Sequence, residues 1–411
     1  MAGQTRRAPI ARTPRPRDRK AQIITAAADL FYRYGYHNVS TEQIAQAVGI
    51  TAGALYRHFT SKQDLLAHAV IDAFERATVL VEQGAPDSLA AMVDGLAATA
   101  GARRDLGGLW NRETRHLDDE RRARMRGRFF AFLAYFTEQL HLARPELSAA
   151  DADLLSWCAL GVLTSPSYHG TEVDEARLVD LLRRMTLAVC TAPLAATDSA
   201  TDSATDAATD TATDTAARPE VATGVAPRSR RESILTAAAR LFHRRGYQSV
   251  SMDDIGAVVG ITSTGVYKYF DSKVGLLSAT IARAATALQL GLGQALATAS
   301  TPAQALDNAL AAYVDFAMVH YDLVGILVSE VMNLPEPERH TVRRAQHDYV
   351  AEWVRLLRDS RPELGERDAL FLVHATLTVV NDATRTRHLL RRPALADELR
   401  LIGRRILATE V

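Results

Sequence analysis

Apolar positions return every three or four residues along most of this chain, the spacing of helices that bury one face. The first stripe is Ile23, Ile24, Ala26, Ala27, Leu30 and Phe31. Gly35 follows it, as a left-handed residue past a helix end would. Ser40 then opens S-x-x-Q with Gln43, a capping box for a short second helix whose buried face is Ile44, Ala45 and Val48. Gly49 breaks the chain again, and Thr51 caps a third short helix. Two short helices joined by a tight glycine-containing turn predict a helix-turn-helix. Leu65, Leu66, Ala69, Val70, Ala73 and Phe74 carry a fourth helix, from near Ser61 to about Val81.

The same pattern recurs. Val39 to Leu66 reads VSTEQIAQAVGITAGALYRHFTSKQDLL, and Val250 to Leu277 reads VSMDDIGAVVGITSTGVYKYFDSKVGLL. From Arg19 against Arg230 the register needs no gap, and about half the positions are identical. A repeat of this length marks a duplication. It extends further at a larger offset: Glu113 matches Glu330, and Arg144-Pro145-Glu146-Leu147 matches Arg361-Pro362-Glu363-Leu364. The duplicated unit is therefore the whole first half and not its N-terminal part alone.

Between the three-helix units and the ends of the halves, the pattern stays helical, with breaks expected near Gly84-Ala85-Pro86, Gly107-Gly108, Arg144-Pro145, Gly170, Thr301-Pro302, Leu334-Pro335, Arg361-Pro362 and Arg392-Pro393. The predicted fold class is all-α, with two copies of a three-helix unit plus a helical bundle. The expected division is a disordered basic arm at 1–17, helix-turn-helix domains at 18–80 and 228–288, helical bodies at 81–192 and 289–411, and a linker at 193–227. That linker repeats A-T-D with Asp198, Asp202, Asp206, Asp210 and Asp214 at a period of four, and its Thr and Asp are weak helix formers.

The formal net charge is zero, from 48 basic and 48 acidic residues. The average hides a segregation that bears on phosphate binding. Arg6, Arg7, Arg12, Arg15, Arg17, Arg19 and Lys20 crowd the N-terminus against Asp18 alone, and the linker is acidic. Two cysteines, Cys158 and Cys190, are too few for a disulfide framework and read as buried thiols. The N-terminus lacks the apolar core of a signal peptide, and no run of 18 apolar residues predicts a membrane span. A cytoplasmic location is expected. No metal-binding, Walker or nucleophile-elbow motif is present, so no catalytic residue, metal or cofactor is expected.

The third helix would offer Thr51, Ala52, Gly53 and Ala54 to a major groove, small side chains suited to close approach and to thymine methyls. Tyr56, His58 and Lys62 put donors to one side, where phosphates would lie. In the second copy the counterparts are Thr262, Ser263 and Thr264, with Tyr267, Tyr269 and Lys273. These residues sit in Phe31 to Gly35-Tyr36, Gly49-Ile50-Thr51 to Gly53, and Leu55-Tyr56 to His58-Phe59 and Ser61-Lys62, repeated from Phe242 to Lys273. The combination resembles the DNA-binding domain of TetR-type bacterial transcription regulators. The second copy departs at Thr264-Gly265, where the glycine is shifted by one residue, and at Met252, which replaces Thr41.

The resemblance implies a ligand-responsive regulator, a repressor in most such proteins, with double-stranded operator DNA as its partner. It assigns backbone contacts to Tyr56, Lys62, Tyr267 and Lys273, with Thr41 as a further phosphate contact in copy one only. It also implies a small, apolar effector held between helices. The polar and aromatic candidates for that site are Trp110, Arg112, Glu113 and His116 in half one, and Glu330, His374 and Asn381 in half two. Similar regulators dimerise through their last two helices. Here those are 151–168 with 175–188, and 368–385 with 395–407, which a tandem chain could close on itself as a single-chain pseudo-dimer or offer to a second chain as a homodimer. The competing expectation is that one helix-turn-helix binds DNA while the second half senses or dimerises.

Overall fold

The computed structural model describes residues 16–71, 88–169, 171, 173–194 and 228–411. The basic arm up to residue 15, the repeat of aspartates in the linker, and the break at Gly84-Ala85-Pro86 lie outside the described residues. Among the described residues every regular element is helical. Half one runs α1 (Pro16–Tyr34), α2 (Thr41–Ala47), α3 (Ala52–Leu55), α4 (62–71), α5 (Leu89–Ala102), α6 (Leu106–Gly108), α7 (Asp119–Ala143), α8 (Ala149–Thr164) and α9 (Glu175–Cys190). Half two runs α10 (Arg230–Arg245), α11 (Met252–Val259), α12 (Ser263–Tyr267), α13 (Lys273–Ala297), α14 (Pro302–Val319), α15 (Tyr321–Ser329), α16 (Glu336–Ser360), α17 (Glu366–Arg385), α18 (Arg387–Leu390) and α19 (Leu395–Leu407).

The local signals explain the short elements. Ser40 and Gln43 form the full capping box, and Ser251 with Asp254 repeats it. The hydroxyls of Thr51 and Thr262 accept from Ala54 N and Gly265 N at the starts of α3 and α12. Gly260 is left-handed (φ 71°, ψ 37°), and Gly49 shares its positive φ. Gly35 differs from its expected left-handed form. Its φ of 80° comes with ψ 149°, a region open in practice to glycine alone, and Gly246 repeats it. The break expected near Gly107-Gly108 falls just before them, at 103–105; at the glycines themselves the chain is helical, passing from α6 into a π-helical turn at Leu109–Glu113. The two glycines serve close packing: a Cβ on Gly107 would meet Thr164, and one on Gly108 would meet the Tyr32 ring, each at 2.8 Å.

Among the described residues three cores hold the molecule. One lies in each reader, around Phe31 and Phe59 and around Phe242 and Phe270. The third is shared: α8 packs along α17 and α9 meets α19, so both helical bodies bury one continuous interior. At its centre a Cβ on Gly161 would lie 3.2 Å from Val379. Arg392 crosses this seam to Asp151 (2.6 Å), Arg177 crosses it to Asp368 (2.6 Å), and His388 meets Asp153 at 2.8 Å. The duplication shows in detail. Arg144 donates to Cys190 O and Ala192 O, and Arg361 donates in the same way to Leu407 O and Thr409 O. Cys158 and Cys190 are free and buried, as expected. By length and composition α13 is apolar enough to cross a membrane; here it packs on α10, α14, α15 and α16.

Candidate functional site

The two readers present matching outer surfaces. Tyr56 and Tyr267 are each 50% exposed and Tyr269 is 44% exposed, while Phe59 and Phe270 plug the cores beneath them. Thr51, Gly53, His58, Thr262 and Thr264 face solvent, and Ala52, Ala54 and Ser263 are half-buried beside them. No atom lies within 4 Å of where a Cβ on Gly53 would stand, so backbone there is open to close approach. In reader two that position is Thr264, while Gly265 turns inward against Ile261 (3.2 Å). The shifted glycine thus adds a threonine to the open face. Thr41 is buried and its hydroxyl shares a hydrogen bond with the Tyr56 hydroxyl (3.1 Å). It braces the tyrosine instead of facing outward. Met252 is buried at the same place and offers no such brace.

The two lysines expected at phosphates are half-buried and engaged within the fold. The Lys273 ammonium donates to Tyr247 O and Val250 O, each at 2.9 Å, and sits 4.3 Å from the Tyr247 ring centre. Lys62 lies over the Tyr36 ring at 4.2 Å, and burial pulls its pKa below the ordinary lysine value. Both lysines close the end of the first reader helix onto the fourth. Cations that do face solvent are Arg57 and Lys268, directly after the exposed tyrosines. Sequence reading passed over them, although adjacency to Tyr56 and Tyr267 was a usable signal.

Glu113, His116 and Glu330 form a junction between reader and body, where they line a small crevice between the halves and stand apart from the large cavity. Glu113 accepts from Tyr36 N (2.9 Å), and Glu330 accepts from Tyr247 N (3.3 Å). Burial raises the Glu113 pKa, opposed by that N–H and by Arg112 and Arg115. Arg115 reaches across the halves to pair with Glu330. His116 stacks on Tyr36 and shares a hydrogen bond with His37 (3.1 Å), and burial lowers its pKa to about 3. Trp110 stacks on Phe129 with centroids 4.6 Å apart and packs, partly buried, against the core of half one.

The large cavity lies in half two, with a volume of about 1170 Å³. His374 and Asn381 line it, as expected, and Arg112 forms part of its wall while donating to Tyr32 O (2.7 Å). Val324, Leu327, Val331, Val350 and Leu377 supply apolar surface. The Tyr313 hydroxyl donates to Asn381 Oδ1 (2.7 Å), and burial raises its pKa to about 12. Half one adds Ser167, Tyr168 and His169 to the wall. Neither ring nitrogen of His169 has a protein hydrogen-bond partner, and its ring stacks on His374 at 4.4 Å. Burial is the leading cause that lowers His169 to about 2 and His374 to about 4, so both imidazoles are neutral. His169 lies outside any helical stripe, which is why periodicity did not find it.

Comparison with known proteins agrees with this geometry. The pattern of the bacterial regulatory proteins, tetR family, matches residues 23–69 and again 234–280, and that of a tetracyclin repressor-like C-terminal domain matches 299–385. The HTH-type transcriptional activator FasR of Mycolicibacterium smegmatis is 34% identical over 110 residues, 26% of this chain and 49% of that protein. HbdR, an HTH-type transcriptional regulator of Aromatoleum sp., is 32% identical over 111 residues, 26% of this chain and 48% of that protein. The A-factor receptor protein of Streptomyces griseus is 37% identical over 73 residues, 18% of this chain and 25% of that protein. The chain thus spans about half or less of the length of these relatives. A solved TetR-like regulator from Rhodococcus sp. RHA1 aligns at 27% identity and a TM-score of 0.38, over 45% of this chain and 99% of that one.

Proposed function

Because the chain belongs to the tetR family of bacterial regulatory proteins, as a tandem duplicate, we propose that it is a DNA-binding regulator of transcription that sets two unlike readers on one operator. The observation that carries this is the pairing of two equivalent, solvent-facing reading helices with a helical seam closed inside one chain. α3 reads bases through Thr51, Ala52, Gly53 and Ala54, and α12 reads them through Thr262, Ser263 and Thr264. Tyr56, Tyr267, Arg57 and Lys268 hold phosphates, with His58 and Tyr269 beside them. Because the readers differ, the operator is not a true palindrome. Half-sites on one DNA face stand about 34 Å apart, so a small change in reader spacing lowers affinity. The chain is a cytoplasmic repressor, and an effector in half two favours the state with the wrong spacing.

A second reading has one observation in its favour. Reader two lacks the Thr41 brace and carries Asp253 and Asp254 at the start of α11, so half two would serve as sensor and reader one as the sole anchor. Footprinting on DNA selected from genomic fragments, with the mass of the complex measured alongside, separates the two. One chain protecting two unlike half-sites supports the leading reading. Two chains on a symmetric site overturn it.

A further inference from the structure

An offset of 217 residues, set by the identical spans of α7 and α16, puts the halves in register through their bodies. In half one, Trp110, Phe129, Phe130 and Trp157 form one aromatic cluster, with Phe129 at 5.5 Å and Phe130 at 6.4 Å from Trp157. Their counterparts in half two are Leu327, Gln346, His347 and His374, and all four line the cavity. Three large rings are replaced by narrower polar side chains, and one by leucine. The space that half one fills with its own rings is hollow in half two.

The chemistry of the hollow limits its occupant. Most of its interior polar groups are neutral: the Asn381 amide, the Tyr313 hydroxyl, and the imidazoles of His374 and His169; the Arg112 guanidinium in its wall is turned to Tyr32 O and Gly108 O and lies 3.9 Å from Glu113. Asp382 and Arg385 are already paired with each other. A charge carried deep inside would find no free counter-charge there and would lose its hydration. With Asn381 Oδ1 engaged by Tyr313, its NH₂ is left to donate. An N–H of His169 has no protein partner and stays unsatisfied until something accepts from it. Ligand oxygens would satisfy both. The exposed rim at Arg343, Arg355, Arg358, Asp359 and Glu366 carries both signs and selects neither.

We propose that each chain takes a single effector, in half two alone, and that the effector is an uncharged, largely apolar, ring-containing molecule whose carbonyl or hydroxyl oxygens accept from Asn381 and from His169 of half one. The inference rests on reading the chain as an effector-responsive regulator. It also gives the effector a route to the opposite reader. His169 lies two residues past Ser167, whose carbonyl accepts from the Tyr32 hydroxyl (2.7 Å) on α1. A molecule held in half two therefore touches the segment that anchors reader one.

The test is titration of the full chain with Nile red, a planar, uncharged dye bearing a carbonyl. One dye per chain is expected. His374→Trp and Gln346→Phe each restore a ring of half one, and each should weaken binding at least about tenfold. His169→Phe keeps the stacked ring without its N–H and should weaken binding about tenfold, or about 1.4 kcal/mol. Far-UV circular dichroism and urea unfolding show which variants fold; Gln346, half-buried on α16, is the tolerant site. Two dyes per chain, or wild-type affinity in folded Gln346→Phe, overturns the proposal. Equal affinity for the sulfonated dye 1-anilinonaphthalene-8-sulfonate overturns the uncharged class. A normal operator footprint with failed dye binding sinks this inference alone. Single-site dye binding without any footprint sinks the DNA reading and leaves the site standing.

Discussion

The two halves share a frame and differ in what fills it. The clamps of Arg144 and Arg361, the junction carboxylates Glu113 and Glu330, and the lysine-on-tyrosine contacts of Lys62 and Lys273 repeat almost atom for atom. The interior does not. Half one closes on Trp110, Phe129, Phe130 and Trp157, whereas half two opens on Gln346, His347 and His374. Groups that connect reader to body tolerate little change, because each satisfies a specific buried donor or carboxylate. A ring facing empty space has no such obligation, so the centre of each half was free to diverge after duplication, one filled and one hollow.

The largest effect should come from the seam. Arg392 is 15% exposed and bonds both Asp151 and Glu398, themselves buried. Arg392→Ala strands two buried carboxylates and should lower unfolding free energy by about 3–5 kcal/mol in urea melts. An unchanged midpoint would mean that the seam does not hold the halves. The opposite side of the seam gives the contrast: Arg177, 36% exposed, bonds Asp368, and Arg177→Ala should cost about 0–1 kcal/mol.

The next effect tests the interiors by acid. His374 is held to about 4 by burial, below the ordinary 6.5. A base depressed in the fold contributes stability that is present above pH 6.5 and lost as pH falls toward 4. His374→Trp, which copies half one, should remove on the order of 2–3 kcal/mol of that acid loss. Stability curves at pH 7 and pH 4.5 would show it as a flatter slope; an unaltered slope would mean that His374 is not buried neutral.

A smaller difference is expected between the readers. Tyr56→Phe removes the hydroxyl that Thr41 braces and should weaken protection of the first half-site about five- to tenfold, roughly 1 kcal/mol. Tyr267→Phe, with no brace to lose, should weaken the second half-site less. Equal losses would show that the brace does not matter.

The readers were legible in the sequence because their determinants are local. The capping box at Ser40 and the Thr51 cap act within four residues, and each formed where the pattern placed it. The corrections concern groups whose role depends on a distant neighbour. Lys62 and Lys273 were read as phosphate ligands with no sign in the sequence of the Tyr36 and Tyr247 rings beneath them. Glu113 and Glu330 were read as ligand groups because the N–H each one satisfies is remote in sequence. The cavity was half legible. His374 and Asn381 were found as polar residues on an apolar helix. The comparison that explains the space, Trp157 against His374, needed the 217-residue register carried through the bodies. His169 was out of reach, since a loop residue of one half lining the other leaves no periodic trace.

The seam of α8 and α9 against α17 and α19 runs within one polypeptide. A regulator assembled from separate subunits loses its second reader on dilution, and its operator occupancy then varies as the square of its copy number. Two unlike subunits would also sort into like pairs as readily as mixed ones. A covalent pair escapes both effects. Each ribosome transit delivers one of each half, their ratio is fixed at unity, and a site bound by this chain would respond linearly to a handful of molecules per cell.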